Sequence, residues 1–112
     1  MATNDFKMYA TSLSDTSLTT LITATDTSIF IVSSIIISIT HASTTATIDL
    51  IVTDTSEAAS FNILTNESFT PELSREILSR PLILENLDIL KAQASTGAIF
   101  DLLISYLDRS RD

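Results

Sequence analysis

The sequence predicts an all-β chain, an antiparallel β-sandwich or jelly-roll of about eight short strands, on three observations. Ser28 to Thr40, SIFIVSSIIISIT, holds six Ile, one Val and one Phe. Such β-branched and aromatic side chains fit a pleated surface better than a crowded helix. Thr45 to Thr53 alternates, with Ile48, Leu50 and Val52 facing one way and Thr47, Asp49 and Thr53 the other, which is the period of a half-buried strand. Clusters of Ser, Thr and Asp separate such runs, at Ser14 to Ser17, Asp26 to Ser28 and Asp54 to Glu57. Their short side chains bond the local backbone and make turns.

The elements follow in chain order. Met1 to Asp5 is short and polar and reads as an arm that a neighbour would have to order. Phe6 to Ser12 makes a first strand with Phe6, Met8 and Ala10 on one face, and Leu18 to Ala24 a second with Leu18 and Ile22 in register. Strict alternation over Ser28 to Thr40 puts Ile29, Ile31, Ser33, Ile35, Ile37 and Ile39 on one face of a central strand. Phe30, Val32, Ser34, Ile36, Ser38 and Thr40 then take the other. His41 to Thr44 reads as a hairpin loop that pairs the central strand with Thr45 to Thr53. Ala59 to Leu64 alternates again, and Asn66 to Thr70 reads as a loop.

From Pro71 to Ala94 the local signals conflict. Thr70, Pro71 and Glu72 form a helix start followed by Leu73, Ile77 and Leu78 at helical spacing. Pro81 cuts that helix short and pushes Arg80 into an extended conformation. The expectation is three short strands, near Leu73 to Ser79, Leu82 to Leu84 and Asp88 to Ser95. Gly97 sits in a turn before a last strand over Ile99 to Leu107, apolar on both faces for much of its length and so expected to be buried on both. Asp108 to Asp112 reads as a solvated tail.

At 112 residues the chain is one domain, and association with copies of itself would add useful stability. Six basic against fourteen acidic residues give a net charge of -8, which repels a phosphate backbone and argues against direct nucleic-acid binding. Ser and Thr make up roughly three residues in ten, well above ordinary usage. The longest apolar run is thirteen residues and includes five hydroxyls, short of the roughly 20 apolar residues a spanning helix needs. Neither a membrane segment nor a secretory signal is expected, and synthesis in the cytoplasm is the default. Cysteine is absent, which removes disulfides and thiolate chemistry.

Few residues offer chemistry. His41, the single histidine, sits among small polar residues and reads as a solvated loop side chain rather than a general base. No serine lies in a glycine-flanked elbow, and one glycine cannot build a phosphate-binding loop. Asp26, Asp54, Glu57 and Asp88 could gather around calcium, but their spacing matches no calcium loop and they read as turn formers. Asp49 and Asp101 read as polar faces of half-buried strands. No catalytic residue, metal or cofactor is expected. Phe30, Phe61 and Phe100 fall at strand positions that suit a core, whereas Phe6, Tyr9 and Phe69 fall near ends or loops and are the candidate interface residues.

The stretch Arg80 to Ser95, RPLILENLDILKAQAS, and the later Ile104-Ser105-Tyr106-Leu107 carry a resemblance. They are similar to a family of small tailed-bacteriophage virion proteins whose pattern runs Pro-Leu-x-Leu-Glu-x-Gly-Asp-x-Leu, then a strand ending in Ala-Ser, then a last strand closing on Ser-Tyr-Leu-Glu. Phe6 to Tyr9, and the central strand through its hairpin to Thr45 to Asp54, also look like that family. Leu87 stands where the pattern has glycine, and Asp108 where it has glutamate. The resemblance implies a non-enzymatic β-sandwich, a decoration, cement or accessory subunit on the capsid or neck surface. It implies a homo-oligomer, with a trimer expected, carried on the virion with capsid, neck or tail proteins as partners. The alternative is a tail-associated module that binds host-surface carbohydrate.

Overall fold

The structure is a computed structural model that describes residues 3–13, 15–40, 45–55, 57–70, 74–85, 87–95 and 100–110. The described residues form nine strands and no helix: β1 (Thr3–Leu13), β2 (Thr19–Thr23), β3 (Ser28–Ile39), β4 (Ala46–Asp54), β5 (Ala59–Phe69), β6 (Ser74–Glu76), β7 (Leu82–Glu85), β8 (Ile89–Ala94) and β9 (Phe100–Ser110). All pairings are antiparallel. One sheet runs β1-β9-β3-β6, with β7 also on β3, and the other runs β2-β8-β4-β5.

β6 and β7 lie on the same side of β3, at its Ile36 to Ser38 and Ile29 to Val32 ends. They act as one strand interrupted around Pro81, whose ring removes a ladder donor. Counted so, the chain folds as a long hairpin rolled on itself: β1 pairs with β9, β2 with β8, β3 with β6 and β7, and β4 with β5. That nesting is the order of a jelly roll. It also corrects one expectation: β4 does not pair with β3 but crosses into the second sheet, on β5 and β8. The expected hairpin loop at 41–44 and the turn at Gly97 lie outside the described residues.

The two sheets bury one face each. Leu13, Phe30, Val32, Ile35, Ile37, Ile39, Leu84, Phe100, Leu102 and Ile104 meet Leu21, Ile22, Ala46, Ile48, Leu50, Phe69, Leu90, Ala92 and Ala94. Each large aliphatic side chain so covered stabilises by roughly 1.5 to 3 kcal/mol.

The β3 faces differ from strict alternation. Val32 pairs with Tyr106 and Ser34 with Ser105, so Ser33 is an extra residue, a β-bulge. Because the side-chain period is two, one extra residue reverses every later side chain. Phe30 and Val32 before it and Ile35, Ile37 and Ile39 after it all point into the core. Ile29, Ile31 and Ile36 point outward instead.

The described residues of both expected tails, 3–5 and 108–110, are strand. Thr3, Asn4 and Asp5 pair with Ser110, Arg109 and Asp108, so each end supplies the ladder partner that the other needed. The expected loop at Asn66 is also strand, because Asn66 at φ 47° absorbs the irregular register between β4 and β5 and lets the chain run on to Phe69. Asparagine tolerates that left-handed backbone better than most residues. The three short strands expected between Pro71 and Ser95 are β6, β7 and β8.

Candidate functional site

The outward face of the larger sheet is apolar across its width. Phe6 on β1 pairs with Leu107 on β9, Leu107 with Ile31 on β3, and Ile31 with Ile83 on β7. Strand alternation turns all four away from the core, in one row across four strands. Phe6 is 88% exposed and Ile83 54%. The next row holds Met8, 63% exposed, beside Ser105 and the bulged Ser33, and the row beyond it Ala10, Leu103 and Ile36. A shallow open groove of about 450 Å³ runs between Phe6, Met8, Ile31 and Leu107. At one end Asn4, Arg109 and Glu85 flank Ile29, and at the other Ser12, Asp101, Ser38 and Ser74 form a polar row. An apolar patch with a polar rim is the usual anatomy of a contact surface.

The three candidate interface residues divide. Phe6 stands at the edge of this patch. Tyr9 lies on the opposite face of β1, half-buried against the core. Phe69 is fully buried, edge-on to Phe100 at 5.7 Å between ring centroids and under the Arg75 guanidinium at 4.9 Å. It is a core residue and is withdrawn as an interface residue, because β5 continues through the expected loop and turns its ring inward. Leu107, Ile31 and Ile83 belong to the patch and were not singled out from sequence. Their signal was present, since β9 and β3 carry apolar residues on both faces.

Two carboxylates shape this sheet. The β3 edge is open between its pairing with β7, which reaches Val32, and its pairing with β6, which starts at Ile36, and Glu76 supplies an acceptor there: its carboxylate accepts the Ile35 N–H at 2.9 Å, the Leu78 N–H at 3.1 Å and the Ser34 hydroxyl. Desolvation pushes the Glu76 carboxyl up, but the hydrogen bonds from Ser34 and the Ile35, Leu78 and Ile77 backbone together outweigh it and hold the group below its ordinary value. Asp108 lies buried on the inner face and accepts a hydrogen bond from Lys7 Nζ at 2.9 Å. That bond, with the attraction of the Asp108 charge, raises the Lys7 ammonium above its ordinary value. Asp108 Oδ1 has no partner among the described residues.

The outward face of the smaller sheet is different. A depression of about 250 Å³ there is lined by Thr47, Asp49, Asn66, Gln93 and Ser95, with no aromatic ring. Phe6 and Phe61, the exposed Phe residues, lie on different sheets and share no stacking platform. Two of the four acids that could gather around calcium, Asp54 and Asp88, serve the backbone instead. Asp54 accepts the Glu57 N–H at 3.3 Å, and Asp88 accepts those of Thr55 and Glu85, each at 3.2 Å. Among the described residues no group of three or more His, Asp or Glu side chains is placed to hold a metal ion. His41 lies outside them.

No protein-family model and no curated protein matches the sequence. What the arrangement offers chemically is therefore read from the surface itself: area that prefers to be covered, with charges at its rim.

Proposed function

We propose that the chain is a non-enzymatic structural subunit of a bacteriophage virion, a decoration or accessory protein seated on the capsid or neck surface. The observation that carries the reading is the outward row Phe6, Leu107, Ile31 and Ile83, a strip of apolar surface four strands wide on a chain with a net charge of -8. Such a strip gains by being covered, and the acidic, hydroxyl-rich remainder keeps the free faces solvated. The jelly-roll order and the resemblance of Pro81 to Leu90 to small virion proteins support the same reading, the fold by analogy alone. The mechanism is burial of surface between neighbours, with several copies bridging the particle and no bond made or broken.

Gold-labelled antibody raised against the purified chain and imaged on purified phage particles tests the proposal. Label over the head or neck is the expected result. Absence of label on both intact and disrupted particles removes the virion reading.

A further inference from the structure

We infer that the outward face of the β1-β9-β3 sheet binds a second copy of this chain through a two-fold contact centred on Ser105, in which Arg109 of each copy meets Asp101 of the other. This deepens the proposed function and rests on it only in taking the chain to act as an assembled subunit.

β9 pairs with β1 from end to end without a register break, so its outward side chains form one regular line: Asp101, Leu103, Ser105, Leu107, Arg109. Ser105 is the midpoint. An acid and a base lie four residues to either side of it, and a leucine two residues to either side. Reversed end for end, the line matches itself with the charges exchanged. A two-fold axis lying in the interface, across the strands at Ser105, therefore sets each Arg109 against Asp101 of the other copy and each Leu107 against the other Leu103.

The neighbouring strands follow the same operation. On β1 the large Phe6 falls over the small Ala10, and Met8 over Met8; on β3 Ile31 falls over Ile36. Large over small is how facing layers interdigitate. An axis running along β9 instead would stack Arg109 on Arg109 and Asp101 on Asp101, and like charges in direct opposition disfavour it. Arg109 is exposed and has no carboxylate partner among the described residues. Asp101 accepts a hydrogen bond from Ser12 and keeps its charge at the rim.

The size is adequate. Three strands about 4.8 Å apart and five outward rows about 6.8 Å apart cover roughly 500 Å². Two copies then bury about 1,000 Å² in total, the threshold for a specific contact. A two-fold contact uses one patch twice and closes on a dimer, whereas the trimer expected from the resemblance needs two different patches. The self-matching line of β9 favours the dimer.

Sedimentation equilibrium on the full chain tests this. The wild-type chain should sediment at twice its 12.2 kDa mass. Arg109→Asp and Asp101→Arg should each weaken association by roughly tenfold or more, because each places like charges opposite one another twice. An equimolar mixture of the two variants should restore a dimer, since every rim contact in the mixed pair joins opposite charges. If either variant loses its β-sheet spectrum, Arg109→Glu and Asp101→Lys give the same readout. A wild-type chain that stays monomeric up to about 100 μM, a binding free energy weaker than about 5.5 kcal/mol, overturns the inference. So does a trimer, a dimer indifferent to both substitutions, or variants that fail to rescue each other. Particle labelling plays no part in this measurement, so a dimer without label sinks only the virion reading, and label without a dimer sinks only this contact.

Discussion

Removing the Asp88 carboxylate should loosen the end of the roll where three connections meet. Asp88 is 8% exposed; its Oδ1 accepts the Thr55 N–H and its Oδ2 the Glu85 N–H, each at 3.2 Å, so one side chain ties the β4–β5 turn to the end of β7. Its backbone holds β2 as well, through the Ala24 N–H at 2.9 Å. Asp88→Ala leaves the backbone bonds in place and removes two bonds to a charged acceptor, each contributing about 1.5 to 3 kcal/mol. Thr55 is exposed and its N–H regains water, which places the total near the low end, about 2 to 4 kcal/mol. Against a stability of roughly 5 to 15 kcal/mol that is a large fraction. Asp88→Asn keeps one acceptor and should lose about half as much. Urea unfolding followed by far-ultraviolet circular dichroism suits a chain without tryptophan, and the Ala variant should lower the midpoint by roughly 1 to 2 M at unchanged slope. Asp26→Ala, on an exposed turn, is the control and should stay within about 0.5 kcal/mol. An Asp88→Ala midpoint no lower than the control's would refute the reasoning.

Three further positions read the backbone and the edge of β3. Ala58 at φ 54° and Leu87 at φ 72° occupy the left-handed region, which costs a residue with a Cβ about 1 to 2 kcal/mol, against about 0.5 to 1 kcal/mol of extra chain entropy for glycine. Ala58→Gly should therefore raise stability by about 0.5 to 1 kcal/mol, and Leu87→Gly should exceed Leu87→Ala by the same amount; a glycine variant melting below its alanine reference contradicts this. Glu76 sits below its ordinary value of 4.5 when folded, so its stabilisation is full at neutral pH and is lost as pH falls through the depressed folded value. Glu76→Gln should flatten that part of the acid limb in pH-dependent unfolding, by an amount that solvent screening keeps small, and an acid limb identical to wild type would remove the assigned role.

Period-two patterning made the strands legible, and with them the all-β class. It could not show which strand would pair with which. β3 and β4 are adjacent in sequence and equally strand-like, and nothing local distinguishes a hairpin from a crossover between sheets. Nor could it show the bulge. Ser33 and Ser34 are both acceptable on either face, so the point at which alternation slips leaves no mark in the sequence. Leu87 is the reverse case. The resemblance pointed to glycine there, and the backbone keeps the conformation glycine would favour with a leucine in place. At the candidate surface Phe6 was legible as an aromatic near an end of the chain, away from the strand positions that suit a core. Leu107, Ile31 and Ile83 were not, because apolar residues on both sides of a strand indicate two covers without saying whether the second comes from the same chain.

The bulge connects the core to the outward face. Without Ser33 as an extra residue, Ile35, Ile37 and Ile39 would join Ile29 and Ile31 on the outer side, leaving Ser34, Ile36 and Ser38 to follow Phe30 and Val32 into the core. Buried hydroxyls without partners cost free energy, and five outward isoleucines on one strand would make an indiscriminate apolar surface. The extra residue places five large apolar side chains inward and keeps three isoleucines outward, Ile29 beside Arg109, Ile31 beside Leu107 and Ile36 beside Leu103. Glu76 braces β3 just past the bulge from its other edge, where the Ser34 hydroxyl and the Ile35 N–H donate to its carboxylate. That carboxylate therefore braces the stretch of β3 at which the inward and outward faces are reassigned. A substitution at Glu76 that weakens folding should also disturb the row of isoleucines that faces a second copy, whereas Arg109 and Asp101 act on the contact alone.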